Sequence, residues 1–323
     1  MQPTAIPLAL GLAAALVLAA PPSALPAAEL TLTDPGEGVV KVAVGDREFT
    51  EYRYGNDLQK PILYPVYGPG QVRMTRGWPM EEGLPNEKED HPHHQSLWFT
   101  HGDVNGVDFW AGGENRGRVE TRGEVRIEGD SLTADHAWVA PDGTVHCTDT
   151  TVIQFGADEE RGVRTIDFTI TLKAPADAPV TFGDTKEGTM GIRTHPLLRL
   201  NNKDPLPAGK AKNSEGDEGN DLWGKAAKWV DYSGEVDGKP VGIAIFDHPS
   251  NPRHPTTWHA REYGLVAANP FGLSDFEKKP KGTGDMEIAA GESVTFQYRF
   301  AFYGGTPEDF DAEKAFGQWA GGE

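Results

Sequence analysis

The feature that most constrains the fold is a two-residue alternation of apolar and polar side chains, in short segments bounded by glycine and proline. The chain holds 39 glycines and 25 prolines in 323 residues, and turn formers at this frequency leave little room for long helices. Alternation with a period of two is typical of strands that bury one face of an antiparallel sheet. The pattern predicts strands at residues 39–44, 49–54, 71–74, 117–128, 131–139, 152–155, 164–172, 180–182, 241–246 and 293–303.

Strands in this number predict an all-β protein in which two large antiparallel sheets pack face to face as a β-sandwich. Few short helices are expected, and the clearest candidate lies at residues 306–319, with Thr306 or Asp309 near its start. Residues 201–220 are rich in polar side chains and glycine, which predicts a flexible surface insertion. We therefore expect a single β-sandwich domain over residues 29–323 with a flexible insertion near 201–220.

The first 28 residues contain no Asp, Glu, Lys or Arg and include an apolar run at residues 8–20. This run is short for a bilayer span and is followed by small residues up to Ala28, which predicts a secretory signal peptide over residues 1–28. A retained N-terminal anchor is the alternative. The protein is expected to be exported to the periplasm or the extracellular space, with no membrane span after Ala28.

The chain after residue 28 is strongly acidic, because it carries all of the formal net charge of −19. A surface of this charge repels nucleic acid and anionic lipid, so neither is an expected partner. Cys147 is the only cysteine, which excludes an intramolecular disulfide. It is expected to be a small buried residue rather than a nucleophile.

Histidine is concentrated in two parts of the chain. Seven of the ten histidines lie in residues 90–110 and 246–261. Both segments mix imidazole and carboxylate groups with Trp and Phe, and the second adds the guanidinium groups of Arg253 and Arg261. Sugar hydroxyls need donors and acceptors at fixed angles, and the apolar faces of a sugar ring pack on aromatic side chains. The two segments are therefore predicted to meet in one site for a small carbohydrate or oligosaccharide.

Imidazoles titrate near neutrality, so general acid/base chemistry on a sugar or glycoside is the leading hypothesis, in a glycoside hydrolase, lyase or epimerase. The candidate catalytic residues are His94, His259, Glu187, His93 and His101. The candidate substrate-binding residues are Trp98, Trp110, Arg193, Trp258, Arg261 and Asn269. A glycosidase needs a second carboxylate beside Glu187, for which the candidates are Asp103, Asp108 and Asp247.

Two other functions fit the same residues. A metal-dependent enzyme could bind Zn or Cu through His91, His93 and His248, and acidic loops could bind Ca, although no high-specificity ligand spacing is present. A non-catalytic carbohydrate-binding module would need only the aromatic side chains, with the histidines bracing loops. The leading hypothesis requires no cofactor.

Several motifs resemble those of the secreted PmoA-like family, labelled "methane oxygenase PmoA", a family of unknown function. The first histidine-rich segment carries DHPHH (90–94), LWF (97–99), HGDVNG (101–106) and DFW (108–110). The second part of the resemblance consists of DHPSNPR (247–253), WHAR (258–261) and NPFG (269–272). The resemblance implies a secreted, sugar-binding β-sandwich similar to the mutarotase-like supersandwich. It does not imply methane oxidation, because the monooxygenase subunit of that name is an integral membrane protein.

Overall fold

The computed structural model of the chain describes residues 1, 29–55, 57–201 and 208–321, and β-strand dominates their regular structure. The predicted signal peptide, apart from Met1, lies outside the described residues. The strands are β1 Leu30–Thr33, β2 Val39–Val44, β3 Arg47–Arg53, β4 Ile62–Val66, β5 Leu97–His101, β6 Arg118–Glu128, β7 Ser131–Val139, β8 Val145–Asp158, β9 Val163–Lys173, β10 Val180–Phe182, β11 Gly188–Arg193, β12 Lys210–Asn213, β13 Trp229–Val236, β14 Lys239–Asp247, β15 Trp258–Ala260, β16 Leu265–Ala268, β17 Met286–Ile288 and β18 Ser293–Gly304. The helices of the described residues are α1 Leu273–Phe276 and α2 Ala312–Gly321, and short 3-10 turns occupy Pro69–Gln71, Pro196–Leu198 and Gly219–Leu222.

Two eight-stranded antiparallel sheets account for most of the strands. The first sheet has the order β1-β2-β3-β4-β5-β11-β16-β15, the second has the order β12-β13-β14-β18-β9-β8-β7-β6, and β10 pairs with β17. One hydrophobic cluster takes side chains from both large sheets, among them Leu97 and Ile192 from the first and Ile166 and Phe168 from the second. The predicted all-β sandwich is confirmed.

The alternation that predicted the strands is clearest in the second sheet. In β9 every second residue is buried, from Arg164 to Leu172. The segments at 39–44, 131–139 and 180–182 coincide with β2, β7 and β10. The prediction of a strand at 71–74 is wrong, because the chain turns there through Gly70 and Gln71, both at positive φ. Only an isolated bridge between Tyr67 and Arg73 forms at this point.

Four consecutive strands, from the middle of the first sheet to its β15 edge, lack the alternation and were not predicted. Every residue of β5, β11, β15 and β16 is buried. One face of these strands packs on the sandwich core, and loops cover the other face. A strand covered on both faces has no polar face to produce a two-residue pattern.

The segment expected to be a flexible insertion is in part a strand. Residues 202–207 lie outside the described residues, but β12 pairs with β13 and buries Ala211 and Asn213. The side chain of Asn213 donates to Asp217 and accepts from the backbone N–H groups of Glu215 and Asp217. The polar residues at 213–217 therefore form a tight, hydrogen-bonded turn at a sheet edge.

The predicted C-terminal helix is confirmed as α2, although it begins at Ala312 rather than near Thr306. It packs on the outer face of the second sheet, where Phe316 meets the edge of Phe246 with ring centroids 5.9 Å apart. His254 stacks on Phe316 and holds Asp247 through Nδ1. Part of the second histidine-rich segment therefore serves to dock this helix.

A buried hydrogen-bond chain joins the two large sheets through the core. The Tyr52 hydroxyl of the first sheet lies 2.8 Å from His136 Nε2 of the second. His136 Nδ1 lies 2.7 Å from Asp149, whose other oxygen accepts from Trp138. With His136 Nδ1 donating to the carboxylate, Nε2 accepts from Tyr52. The side-chain polar atoms of Tyr52, His136, Asp149 and Trp138 thus all have partners within this network.

Replacing Tyr52 with Phe keeps the ring but leaves His136 Nε2 buried without a donor. We expect the free energy of unfolding to fall by about 1–3 kcal/mol, measured by urea unfolding. Tyr54→Phe is the matched control, because the Tyr54 hydroxyl binds Asp34 in an exposed position. Equal losses in the two variants would contradict a structural role for the buried chain.

Candidate functional site

The candidate site lies on the outer face of the first sheet, opposite to the sandwich core. In β5 the side chains of Leu97 and Phe99 belong to the core cluster, whereas Trp98 belongs to a separate outer cluster. The strand register places Trp98 opposite Gly191, Gly191 opposite Ala267 and Ala267 opposite His259. These four residues form one row across four strands.

Gly191 makes room for the indole of Trp98. A Cβ atom at position 191 would lie 3.0 Å from Cζ2 and 3.1 Å from Cε2 of Trp98, which is closer than packed carbon atoms approach each other. The indole therefore lies directly over β11. From there, ring contacts reach Trp110 and His94, with centroid distances of 5.2 and 5.5 Å.

An open cleft of about 570 Å³ lies above this row of residues. Its volume falls within the range of small-molecule sites, about 300–1,000 Å³. The two histidine-rich segments both contribute to its walls. The lining residues are His91, His93, His94, Asp108, Trp110, Ala111, Lys186, Glu187, His259, Arg261 and Tyr263.

One wall of the cleft is the histidine-rich loop at residues 90–94. Arg76 holds this loop in place through hydrogen bonds to its backbone. The Arg76 side chain is 2% exposed. Its Nη1 donates to the backbone carbonyl and the carboxylate of Asp90, and its Nη2 donates to the carbonyls of His91 and His94. His91 adopts the left-handed region with φ 47°, a conformation rare for a residue other than glycine. Arg76 thus supports a backbone conformation that brings these carbonyls together.

Arg193 orients the imidazole of His94. Arg193 Nη1 lies 3.2 Å from His94 Nδ1, and Nη2 donates to Asp90 Oδ1 at 2.8 Å. A guanidinium group can only donate, so His94 Nδ1 accepts and the proton of the neutral ring lies on Nε2. Burial, reinforced by the charges of His93 and Arg193, holds the pKa of His94 far below its ordinary value. His94 is therefore neutral at pH 7 and presents an N–H donor.

His259 has the opposite tautomer. Its Nδ1 lies 2.8 Å from the Lys186 carbonyl oxygen, which can only accept, so the proton of the neutral ring lies on Nδ1. Burial lowers the pKa of His259 to about 4, although the Lys186 carbonyl and the Glu187 carboxylate act in the opposite direction. His259 Nε2 has no hydrogen-bond partner. It therefore presents a lone pair at neutral pH.

His93 and the buried Lys60 lie next to this imidazole pair. Lys60 Nζ donates to the His93 carbonyl oxygen at 2.9 Å and lies 5.5 Å from the ring of Trp98. Burial lowers the pKa of Lys60 to about 7, with Asp108 acting in the opposite direction. Burial also lowers the pKa of His93 to about 4, and the charge of Lys60 adds to that effect. His93 is thus a third neutral imidazole.

A stack of parallel rings forms the wall that contains His94. His94 lies between Trp98 and His91, and its ring planes differ from theirs by 16° and 1°. His91 stacks in turn on Tyr263, with centroids 5.2 Å apart. The Arg193 guanidinium lies 4.6 Å from the Tyr263 ring centre. The stack restricts rotation of the His94 ring.

Charged side chains line the other side of the cleft. Lys186 Nζ lies 2.5 Å from Glu187 Oε1, and Arg261 Nε lies 3.3 Å from Glu262 Oε2. The Glu187 side chain is 36% exposed. Both pairs are accessible to solvent, so a ligand that enters the cleft can exchange contacts with them.

Asp108 lines the cleft, but its carboxylate is engaged in shaping the loop. Oδ1 accepts from the backbone N–H groups of Trp110 and Ala111, and Oδ2 forms an ion pair with Arg116 at 3.1 Å. The other two candidates for a second carboxylate, Asp103 and Asp247, are absent from the lining.

The structure does not bring His101 into the cleft. Its ring packs among core aromatics, with centroids 4.6 Å from Phe271 and 5.6 Å from Phe182. His101 Nε2 donates to the Gly183 carbonyl oxygen at 2.8 Å. His101 follows Trp98 by three positions on β5, and an odd separation along a strand places the two side chains on opposite faces.

Four of the predicted substrate-binding residues also lie outside the lining: Trp98, Arg193, Trp258 and Asn269. Trp258 is fully buried in the core cluster, and its indole N–H donates to the Ala227 carbonyl oxygen. Because His259 faces the cleft, the preceding residue must face the core. The Asn269 side chain fixes backbone through the Thr185 carbonyl oxygen and the Phe271 N–H.

The candidate metal ligands are separated. His91 and His93 line the cleft, whereas the ring of His248 lies 5.0 Å from Trp319 of α2 and binds Ser250. Among the residues that the structure describes, no group of three or more His, Cys, Asp or Glu side chains is arranged to hold a metal ion.

Several site residues were not singled out from the sequence. Tyr263 and Lys186 flank predicted residues, and their proximity to Arg261 and Glu187 was the available signal. Arg76 and Lys60 lie outside both histidine-rich segments of the chain. Their role comes from backbone carbonyl groups that only the folded loop brings together.

Replacing Arg76 with Lys retains the charge but not the planar fork that reaches both sides of the loop. Because buried carbonyl groups lose their donors, we expect the free energy of unfolding to fall by about 1–3 kcal/mol, measured by urea unfolding. Arg126→Lys is the control, since its ion pair with Asp135 is at the surface and contributes less than about 1 kcal/mol. Equal stability of the two variants would rule out Arg76 as the support of the loop.

The comparisons with solved structures give likenesses of low score. A polysaccharide lyase matches with a TM-score of 0.32 and 12% identity, over 90% of this chain and 34% of the lyase. A GH36 alpha-galactosidase from Geobacillus stearothermophilus matches with a TM-score of 0.35 and 10% identity, over 85% of this chain and 41% of the galactosidase. A protein assigned as an aldose 1-epimerase from Escherichia coli K12 matches with a TM-score of 0.31 and 11% identity, over 86% and 99% of the two chains.

Sequence comparisons identify the family of the chain, and the helix lengths bear on whether it crosses a membrane. No curated protein sequence matches the chain significantly. Across the described part of the chain, no helix combines the length and the apolar content that crossing a bilayer requires. The assignment to the PmoA-like family is wrong, because a different family model matches the sequence. That model covers residues 39–317, and the chain belongs to its family, DUF6807, a family of unknown function.

Proposed function

We propose that the cleft binds a carbohydrate and catalyses proton transfer on it, with His259 as the general base. The observation that carries the proposal is the pair of neutral imidazoles with opposite tautomers in one cleft. His94 Nε2 and His259 Nε2 are both buried without a partner, the first as a donor and the second as an acceptor. Buried polar atoms without partners in a folded protein are expected to meet a ligand or water.

The remaining lining supports a sugar as the ligand. Trp110 and Tyr263 supply aromatic surface, and Lys186, Glu187 and Arg261 supply donors and acceptors. A sugar ring has apolar C–H faces and polar edges, so it matches a wall of rings opposite a wall of charged groups. His259 lies on a short strand rather than in a loop, which fixes its position.

The carboxylates of the cleft favour lyase or epimerase chemistry over glycoside hydrolysis. Glycosidases use two carboxyl groups, one on each side of the scissile bond. Glu187 is accessible, but Asp108 is occupied by two backbone N–H groups and Arg116. A neutral imidazole base removes a proton from carbon or oxygen without a second carboxylate. The protonated His259 that results is then the group that returns the proton to the substrate.

The place of action that we propose is outside the cytoplasm. This part of the proposal depends on the uncharged apolar segment within residues 1–28, which has the character of an export signal. Secretion of a full-length fusion to a reporter that folds only after export would test it.

Replacing His259 with Gln removes the base while keeping a polar side chain of similar size. We expect turnover of the responsive polysaccharide or glycoside, found by screening the wild-type protein, to fall by a factor of about 10²–10⁴. His248→Gln is the matched control, because His248 lies in the same chain segment but contacts α2. Unchanged sugar binding without turnover in the wild type would instead identify a binding module.

The pH dependence of kcat/KM reports the base in the free enzyme. Because burial lowers the pKa of His259 to about 4, the base form is lost below that pH and predominates above it. We expect kcat/KM to rise as pH increases through about 4 and to stay level up to pH 7. A rate that decreases across pH 4–6.5 would require a protonated imidazole and would exclude His259 as the base.

A further inference from the structure

Three N–H groups without partners lie within one ring cluster, and two of its three residues, His94 and Trp110, line the cleft. The three groups are His94 Nε2, Trp98 Nε1 and Trp110 Nε1, and each is buried. The rings contact one another pairwise, with centroid distances of 5.2 Å between the indoles and 5.5 and 5.7 Å from these to the imidazole. Indole N–H groups can only donate, and the His94 tautomer also makes its Nε2 a donor. His94 and Trp110 therefore bring two unpartnered donors to this corner of the cleft, and the Trp98 donor belongs to the same ring cluster.

Two guanidinium groups that share one carboxylate, and the amine of Lys60, lie behind these donors. Arg193 donates to His94 Nδ1, and Lys60 Nζ lies 5.5 Å from the Trp98 ring. Arg193 shares the carboxylate of Asp90 with Arg76, so two guanidinium groups face one carboxylate oxygen. A cation bound to one imidazole nitrogen strengthens donation from the other nitrogen. The corner is thus suited to an oxygen that carries negative charge.

We infer that His94 and Trp110, together with Trp98 in the same ring cluster, form a subsite for the carboxylate of an acidic sugar, so that the substrate class of the cleft is a uronic acid or a uronate-containing glycan. This inference rests on the proposed function and specifies its ligand. A neutral hydroxyl could accept from one of the N–H groups, but a carboxylate has two oxygens and about four lone-pair sites for three donors. Hydrogen bonds to an ionised acceptor are also roughly twice as strong as those to a neutral one.

His259 lines the same cleft, three strands away from Trp98 in the cross-strand row. Its Nε2 presents a lone pair rather than a donor. A sugar anchored by its carboxylate at this corner would thus extend along the cleft toward the base.

Calorimetric titration with D-glucuronate, D-galacturonate, their methyl esters, D-glucose and D-galactose tests the inference. We expect each uronate to bind at least about tenfold more tightly than its ester and its neutral hexose. Trp110→Phe keeps a ring but removes one donor, and we expect it to reduce the preference to less than about threefold. Trp319→Phe on α2 is the control and should retain the full preference. Equal affinity for uronates, esters and hexoses would overturn the inference while leaving the proposed sugar site intact.

Indole NMR of the wild-type protein gives a second measurement that does not depend on the stability of a variant. The ¹H–¹⁵N resonances of Trp98 and Trp110 Nε1–H should shift on addition of the uronate and not on addition of the ester. Shifts of equal size with both ligands would contradict a carboxylate subsite. Absence of binding by every sugar tested, acidic or neutral, would overturn the proposed function together with the inference.

Discussion

Strand alternation on the first sheet is the constraint on which the site depends. Because Leu97 and Phe99 face the sandwich core, Trp98 faces outward, and because Trp258 and Ala260 face the core, His259 faces outward. The antiparallel register then places Trp98 and His259 in one row. The same rule removes His101 and Trp258 from the site. Because apolar residues of each strand must face the core, the residues between them face the cleft.

Two arginine side chains determine the loop conformation and the imidazole tautomer beside this row. Arg76 collects carbonyl groups of the histidine-rich loop, and Arg193 fixes the His94 tautomer. Burial would raise the pKa of Asp90, but Arg193 and Arg76 lower it below its ordinary value. The buried ions are thus paired with one another, which a low-dielectric environment requires. The imidazoles above them remain neutral.

The sequence alone predicted the sandwich, the strands with alternating burial such as β2, β7 and β9, and the helix α2, because alternation is a local signal. It also indicated most of the cleft lining, since His93, His94, Trp110, Glu187, His259 and Arg261 lie in dense polar motifs. It missed β5, β11, β15 and β16, which are covered on both faces and show no alternation. Arg76 and Lys60 were missed because loop carbonyl groups, not neighbouring side chains, determine their roles. His248 was misplaced because composition does not reveal which helix a loop contacts.

Two neutral imidazoles of opposite tautomer in one cleft can be observed by imidazole ¹⁵N NMR of the full-length protein at pH 7. We expect His94 to be protonated on Nε2 with a bare Nδ1, and His259 to be protonated on Nδ1 with a bare Nε2. Binding of a sugar should shift the Nε2 resonances of both residues. A charged ring at either position, or the same tautomer at both, would contradict the account.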